Sequence, residues 1–275
     1  MSKTVKVVAF QGEKGAYSEE AATLFFGSSV KAKPYRSLLE VFKVVEEEYV
    51  DAGIVPVENS LEGSVNQTYD LLLSSELKVS GEVILRVTHC LIANKKMSLK
   101  SIRTVYSHPQ ALAQCRNFLD DLKCEAIPTY DTAGSVKLIK EKSLLDSWAI
   151  ASEGAAKIYK MNILAKGIED DKNNYTRFFV LSKNDSPCTG KDKTSIIFST
   201  KNVPGALYSA LRDFAIRRIN LTKIESRPTR MTPWEYNFYL DFEGHRSEKR
   251  CKKALEGLEK KALFIKMLGS YPKWT

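Results

Sequence analysis

Val5-Lys-Val-Val-Ala-Phe10, running into Gln11-Gly-Glu-Lys-Gly-Ala-Tyr-Ser18, sets the pattern of this chain. A β-branched run is followed by a small polar turn, then by an apolar-periodic stretch to about Phe26, which makes strand, turn and helix in succession. The unit returns along the first two-thirds of the sequence. Residues 51–57 precede Glu58-Asn-Ser60 and a helix to about Leu73. Residues 102–106 precede Ser107-His-Pro-Gln110 and a helix with apolar positions at Leu112, Cys115, Leu119 and Leu122. Residues 126–128 lead into Asp131-Thr-Ala-Gly134 and a helix, and residues 148–151 lead into Ser152 and a helix carrying Ile158 and Tyr159. Such alternation predicts an α/β sheet with helices packed on its faces.

Each of these turns falls at a strand's carboxyl end and opens a helix with Ser, Thr, Asp or Asn, where open α/β folds bind ligands. Unpaired N–H groups and the helix dipole favour small anions there. A nucleotide site is not expected, because Gly12-x-x-Gly15 matches neither a dinucleotide fingerprint nor a P-loop.

Residues 183–193 hold Pro and Gly, lack periodicity and read as a linker. Beyond them the pattern is strand 195–200, helix 205–216, strand 221–227, strand 236–242, helix 248–261 and strand 264–268. This βαββαβ order predicts a ferredoxin-like domain.

The bulk numbers exclude several classes. The net charge of +9 raises a nucleic-acid partner. The lysines, however, are spread along the chain or alternate with glutamates between residues 249 and 261, the pattern of a solvated helix face. A basic surface also attracts small anionic substrates. No apolar run approaches the roughly 18 residues of a membrane span, and no secretory h-region opens the sequence. A cytoplasmic protein is expected, or one residing in an organelle stroma after removal of a transit peptide. Five widely spaced cysteines without a C-x-x-C pair, and three histidines, give no metal-ligand pattern. The N-x-T sequons at Asn66, Asn174 and Asn220 read as coincidental without a secretory route.

Five stretches carry a family resemblance: Pro56-Val-Glu-Asn-Ser-Leu-Glu-Gly-Ser-Val65, Ser107-His-Pro-Gln-Ala-Leu-Ala-Gln-Cys115, Asn174-Tyr-Thr-Arg-Phe178, Pro204-Gly-Ala-Leu207 and Glu225-Ser-Arg-Pro228. In this order and spacing they resemble the prephenate dehydratases, the last two stretches resembling that family's phenylalanine-binding ACT domain. The resemblance implies a two-lobed catalytic domain like a type II periplasmic binding protein over residues 1–182. Lobe 1 would span about 1–79 and 167–182, lobe 2 about 80–166, with residues 183–193 as linker and 194–275 as the ACT regulatory domain. It implies homodimers or homotetramers, L-phenylalanine as allosteric effector, and no metal or organic cofactor, since aromatisation drives the reaction. A strand expected from Val5 leaves no room in this sequence for the N-terminal chorismate mutase domain that some relatives carry.

The implied chemistry is the coupled decarboxylation and dehydration of prephenate to phenylpyruvate. Thr176 stands at the family's catalytic position; its hydroxyl is too weak an acid to ionise, so it is assigned hydrogen-bond donation or proton relay to the departing hydroxyl. Asn59, Ser60, Ser107, Gln114, Thr132, Ala133, Arg177 and Phe178 are the implied substrate-binding set. Gly205, Ala206, Leu207, Glu225, Ser226, Arg227 and Pro228 are the implied phenylalanine site.

Structural readings stand beside these. Ser107-x-x-Gln110 fits a capping box. Gln114 lies one turn beyond Gln110 on the same face, so the two could point together at a cleft. Glu58 either orients Asn59 or closes an ion pair. His108 reads as a helix-start residue more readily than as a general acid, and Pro204 and Gly205 also suit a plain helix start. Strand alternation points Arg177 away from Thr176. Gly15-Ala-Tyr-Ser18 and Asp131-Thr-Ala-Gly134 depart from the family's commonest forms in ways shared with arogenate dehydratases, so the substrate stays open between prephenate and arogenate. A non-catalytic amino-acid sensor is the reading from another class.

Overall fold

The computed structural model describes residues 6–94, 103–229 and 233–275. Val5 and Ile102, where two expected strands begin, lie outside the described residues. The chain divides into a first unit, Met1–Thr68 with Val83–Phe178, and a second, Tyr69–Glu82 with Phe179–Thr275.

Two sheets hold the strands of the first unit, the strands at Lys78–Arg86 and Tyr175–Ser182 being only partly within its bounds. In one, β1 (Val7–Gln11) lies parallel to β2 (Lys31–Tyr35) and to β3 (Ala52–Asn59). The order is β2-β1-β3-β11-β5, with β5 at Lys78–Arg86, β11 at Tyr175–Ser182 and a short β4 (Gly63–Ser64) paired to β3. The other sheet runs β10-β6-β9-β7-β8. Its strands are β6 (Cys90–Ala93), β7 (Thr104–Ser107), β8 (Glu125–Pro128), β9 (Ser147–Ala151) and β10 (Asn162–Lys166). Alternation with helices gives the parallel pairs β7/β8 and β7/β9, whereas β9/β6 and β6/β10 are antiparallel. The fully buried Trp148 and Ile150 of β9 pack with Leu91, Val105, Cys115 and Leu119 into the core of this second lobe.

The helices follow the expected turns, with α1 at Tyr17–Phe26, α3 at Asn66–Ser74, α6 at Thr132–Glu141 and α7 at Glu153–Ile158. Asp131 and Ser152 cap α6 and α7 by accepting from Gly134 N and Ala155 N. The sequence pattern marks no elements at residues 31–46, yet β2 and α2 (Leu38–Glu46) lie there. Pro34 suppresses the strand signal and is tolerated because β2 is an edge strand.

Two expectations are corrected. The helix expected after Ser107 is broken into α4 (Pro109–Ala113) and α5 (Arg116–Leu122), because Cys115 leaves helical geometry at φ −119° and ψ 27°. Asp170 supports the break: its N–H donates to the Gln114 carbonyl at 2.8 Å, and its carboxylate accepts from Asn117 N. The crossing expected near Ser80 instead follows Arg86, since Ser80 sits inside the continuous strand β5.

In the second unit the order is β12 (Asp192–Ser199), α8 (Ala206–Ala215), β13 (Leu221–Pro228), β14 (Tyr236–Glu243), α9 (Lys249–Glu259) and β15 (Phe264–Pro272). The sheet runs β13-β14-β12-β15, with all three pairings antiparallel. Ile196, Phe198, Phe242, Phe214 and Leu258 form its core under the two helices. The lysine-rich helix α9 buries only Cys251, Ala254 and Leu258, as a solvated face requires. Glu82, fully buried, pairs with Lys193 at 2.8 Å and accepts from Trp274 N at 3.2 Å.

Candidate active site

The first unit's chain passes between its two sheets outward through residues 87–89 and back through residues 167–174. The passages hold each other: Val87 N donates to the Asn174 carbonyl at 2.8 Å, and Gly167 N to the His89 carbonyl at 2.9 Å. The end of β3 is strapped to the start of β11. Ser60 N donates to Tyr175 O at 2.8 Å, and Ser60 Oγ donates to Asn173 O at 2.6 Å while accepting from Tyr175 N at 2.9 Å. Asn59 and Thr176 are thereby brought side by side.

A cavity of about 90 Å³ opens beside them. Tyr17, Asn59 and Thr176 line it from the first lobe, with His89 from the outward passage. From the second lobe come His108, Gln110, Gln114 and Thr132. No carboxylate, lysine or arginine is among the described residues that line it.

Neutral side chains connect these groups. Asn59 Oδ1 accepts from the backbone N–H of Leu61 at 3.0 Å and of Glu62 at 3.1 Å. Asn59 Nδ2 donates to Asn174 Oδ1 at 2.8 Å and to Thr176 Oγ1 at 3.0 Å. Because Thr176 accepts this bond, its own proton is left to be given elsewhere. Asn174 Nδ2 donates to Gln114 Oε1 at 2.8 Å, and His89 Nε2 stands 3.0 Å from the same oxygen. Gln114 Nε2 is buried and has no hydrogen-bond partner among the described residues. An unmatched buried donor of this kind costs about 1–3 kcal/mol, which a ligand acceptor would recover.

Burial favours the uncharged forms of His89, Tyr17, Cys90 and Cys115. It pulls His89 below the usual imidazole range, partly offset by the Gln114 bond and the Glu169 charge, and raises the Tyr17 phenol well above its own. Burial pushes the Cys90 thiol up to about 11 and raises Cys115 further, so neither is a nucleophile at neutral pH. The arrangement can hold, orient and donate hydrogen bonds.

The turn after β1 closes against the second lobe. Ser152 Oγ donates to the Gly15 carbonyl at 2.5 Å. Gly15 has φ +89°, and a Cβ there would come within 2.5 Å of Ala155 Cα, so only glycine fits. Tyr130 and Lys137 both reach the Glu13 carboxylate, at 2.9 and 3.1 Å.

Of the residues expected from the sequence, Thr176, Asn59, Gln114 and Thr132 meet at the cavity. Gln110 joins Gln114 there, as their shared face suggested. Ser107 is fully buried and donates to the Ile150 carbonyl at 2.7 Å, so it neither borders the cavity nor closes a capping box. His108 is the N-cap of α4 and accepts from Gln110 N. Ser60 straps strands, while Ala133 and Phe178 are buried in α6 and β11. Arg177 turns away from Thr176 and pairs with Glu58 at 3.8 Å. Tyr17 and Asn174 lay within stretches quoted for other reasons; His89 carried no signal in the sequence.

In the second unit, Gly205 takes left-handed geometry at φ 78° as the N-cap of α8. Ala206 and Leu207 line a cavity of about 100 Å³ with Trp234, Tyr236 and Phe238. Residues 225–228 do not line it; they lie on β13, with Ser226 opposite Phe238 and Pro228 opposite Tyr236. Arg227 pairs with Asp70 at 2.8 Å and Glu225 with Lys223 at 3.1 Å. Cys188, Asp192 and Glu248 also converge. Asp192 accepts from Thr189 and Gly190, and Glu248 from His245 N and Arg250, so these carboxylates already serve protein donors.

The family model for prephenate dehydratase matches residues 8–186. A bifunctional chorismate mutase/prephenate dehydratase of Aquifex aeolicus is 45% identical over 99% of this chain and 75% of its own length. The chloroplastic arogenate dehydratase/prephenate dehydratase 2 of Arabidopsis thaliana is 47% identical over 96% of this chain and 72% of its own. A solved prephenate dehydratase from Arthrobacter aurescens, in complex with L-Phe, aligns with a TM-score of 0.88 and 32% identity, covering 97% of this chain and 90% of that one.

Proposed function

Since this chain belongs to the prephenate dehydratase family, we propose that it is a decarboxylating dehydratase converting prephenate to phenylpyruvate, carbon dioxide and water. The observation that carries the reading is the bond from Asn59 Nδ2 to Thr176 Oγ1, which frees the threonine proton beside the cavity. As the C–CO₂ bond breaks, its electron pair moves through the ring and expels the hydroxyl on the far side. Thr176 donates to that oxygen as it gains charge, where a fixed donor counts most. The proton completing the water comes through the Thr176 hydroxyl or from solvent. Gln114 and Thr132, the latter at the positive end of α6, offer donors to the carboxylates.

Arogenate is the second reading, since two relatives from Arabidopsis thaliana bear both names. Arogenate carries an ammonium where prephenate has a ketone. The absence of a carboxylate among the described lining residues favours the keto acid.

We read residues 1–182 as a catalytic domain of the type II binding-protein kind, 183–193 as a linker and 194–275 as a ferredoxin-like ACT domain. The βαββαβ order and the sheet order β13-β14-β12-β15 support the last of these. Phenylalanine is read as its effector, at residues 205–207 and 225–228, in a homodimer or homotetramer. The enzyme is placed in the cytoplasm or an organelle stroma. No described helix is long and apolar enough to cross a membrane.

Purified protein given prephenate and arogenate in parallel tests the reading. Faster turnover of prephenate is expected. Binding without turnover of either substrate would favour the amino-acid sensor instead.

A further inference from the structure

We propose that His89 is a positioning residue: held by Tyr17, it locks the orientation of the Gln114 amide, a side chain that lines the cavity, so that its unpartnered Nε2 is the donor that reads a substrate carboxylate. The proposal rests on the dehydratase reading for its substrate, but its geometric part stands on the following chain of bonds.

Amide and imidazole orientations follow from the network around them. Here the network has an unambiguous anchor. The backbone N–H groups of Leu61 and Glu62 can only donate, so the Asn59 atom facing them is its oxygen. Asn59 therefore presents nitrogen to Asn174, which must answer with oxygen, at 2.8 Å. Asn174 then presents nitrogen to Gln114, which again must answer with oxygen, at 2.8 Å. His89 Nε2 lies 3.0 Å from that same oxygen and must carry a proton. Buried and neutral, the ring has one proton to place, so Nδ1 is bare and faces the Tyr17 hydroxyl at 2.9 Å, whose one proton it shares with the Thr88 carbonyl, also at 2.9 Å.

Two backbone amides thus dictate the polarity of four side chains across both lobes of the first unit. Turning the Gln114 amide over would set its nitrogen against two donors, Asn174 Nδ2 and His89 Nε2, and aim its oxygen at an incoming carboxylate. With His89 present, two donors hold the orientation; without it, one does. The edge-on Tyr17 ring, 5.7 Å from the imidazole, fixes the ring plane.

The test is a double-mutant cycle on the full-length protein with prephenate as substrate. His89→Leu removes both ring nitrogens. His89→Gln keeps a donor near Nε2. A hydrogen bond to a charged group is worth enough that His89→Leu is expected to raise KM roughly 10-fold or more. The kcat should fall much less, and His89→Gln should stay within about 3-fold of wild type on the same scale. In a Gln114→Ala background, His89→Leu should add less than about 2-fold to KM, because its route of action is already gone. An equal KM penalty in both backgrounds would overturn the proposal, since a merely structural role gives that result. Nitrogen chemical shifts of the His89 ring supply a readout independent of turnover. The Nε2–H tautomer is expected, and Nδ1–H would overturn the inferred polarity. A wild type that turns over neither prephenate nor arogenate would refute the enzymatic reading, while the tautomer would still decide the positioning.

Discussion

Replacing Thr176 by valine separates chemistry from stability at this site. Valine keeps the β-branched shape of the β11 position and deletes one oxygen. That oxygen accepts from Asn59 Nδ2 at 3.0 Å. The same nitrogen also reaches Asn174 Oδ1 at 2.8 Å and Tyr175 O at 3.2 Å, so both of its protons keep acceptors after the change. The folding cost should therefore stay near that of one ordinary hydrogen bond, about 0.5–1.5 kcal/mol. The catalytic loss is set by a donor aimed at developing charge, about 2.7–4 kcal/mol, or on the order of 10²–10³ in kcat. Substrate affinity should change only a few fold, because the bond matters most in the transition state. The assay follows phenylpyruvate formation across a range of prephenate concentrations, beside a urea melt of each variant. Thr176→Ser, which keeps the hydroxyl, should recover most of the loss. If Thr176→Val turns over within about 5-fold of wild type while melting normally, far less than such a donor supplies, Thr176 has no part in the chemistry.

Gly15→Ala should destabilise by at least about 1–3 kcal/mol in urea melts, since the added Cβ would meet Ala155 backbone at 2.5 Å; an unchanged midpoint would refute that close approach. His89 is held below its ordinary value of 6.5 by burial, opposed by the Gln114 bond and the Glu169 charge. As pH falls through 6.5 the unfolded chain therefore takes a proton that the folded one refuses, and stability drops. Melts between pH 7.5 and 5.5 should show that loss in wild type and a flatter profile in His89→Gln, and identical profiles would count against a buried neutral imidazole. Exhaustive chelation and dialysis should leave turnover intact, and recovery of lost activity on adding a divalent ion would show a metal requirement. Titration calorimetry should detect phenylalanine binding to wild type and weaker binding to a Gly205→Ala, Ser226→Ala double variant. Equal binding would place the effector elsewhere.

The strand–turn–helix units and the βαββαβ order were legible in the sequence because periodicity and capping are local properties, written within a dozen residues. Thr176, Asn59 and Gln114 were legible through their motifs. What required the tertiary structure is which side chains meet. His89 sits in an apolar stretch whose pattern says only that it is buried; its partners at positions 17 and 114 come from opposite lobes. Asn174 opened a family stretch and a coincidental sequon, but neither pattern showed that it is the buried link between Asn59 and Gln114. Ser107 and His108 were equally plausible helix starts by residue type. The choice fell to His108 because the Ser107 hydroxyl is taken by the Ile150 carbonyl, 43 residues away on β9. The break at Cys115 likewise depends on Asp170, which donates its N–H to the Gln114 carbonyl. Local sequence sets the direction of a helix or strand, but the side chain that gains a partner is decided by which distant backbone arrives beside it.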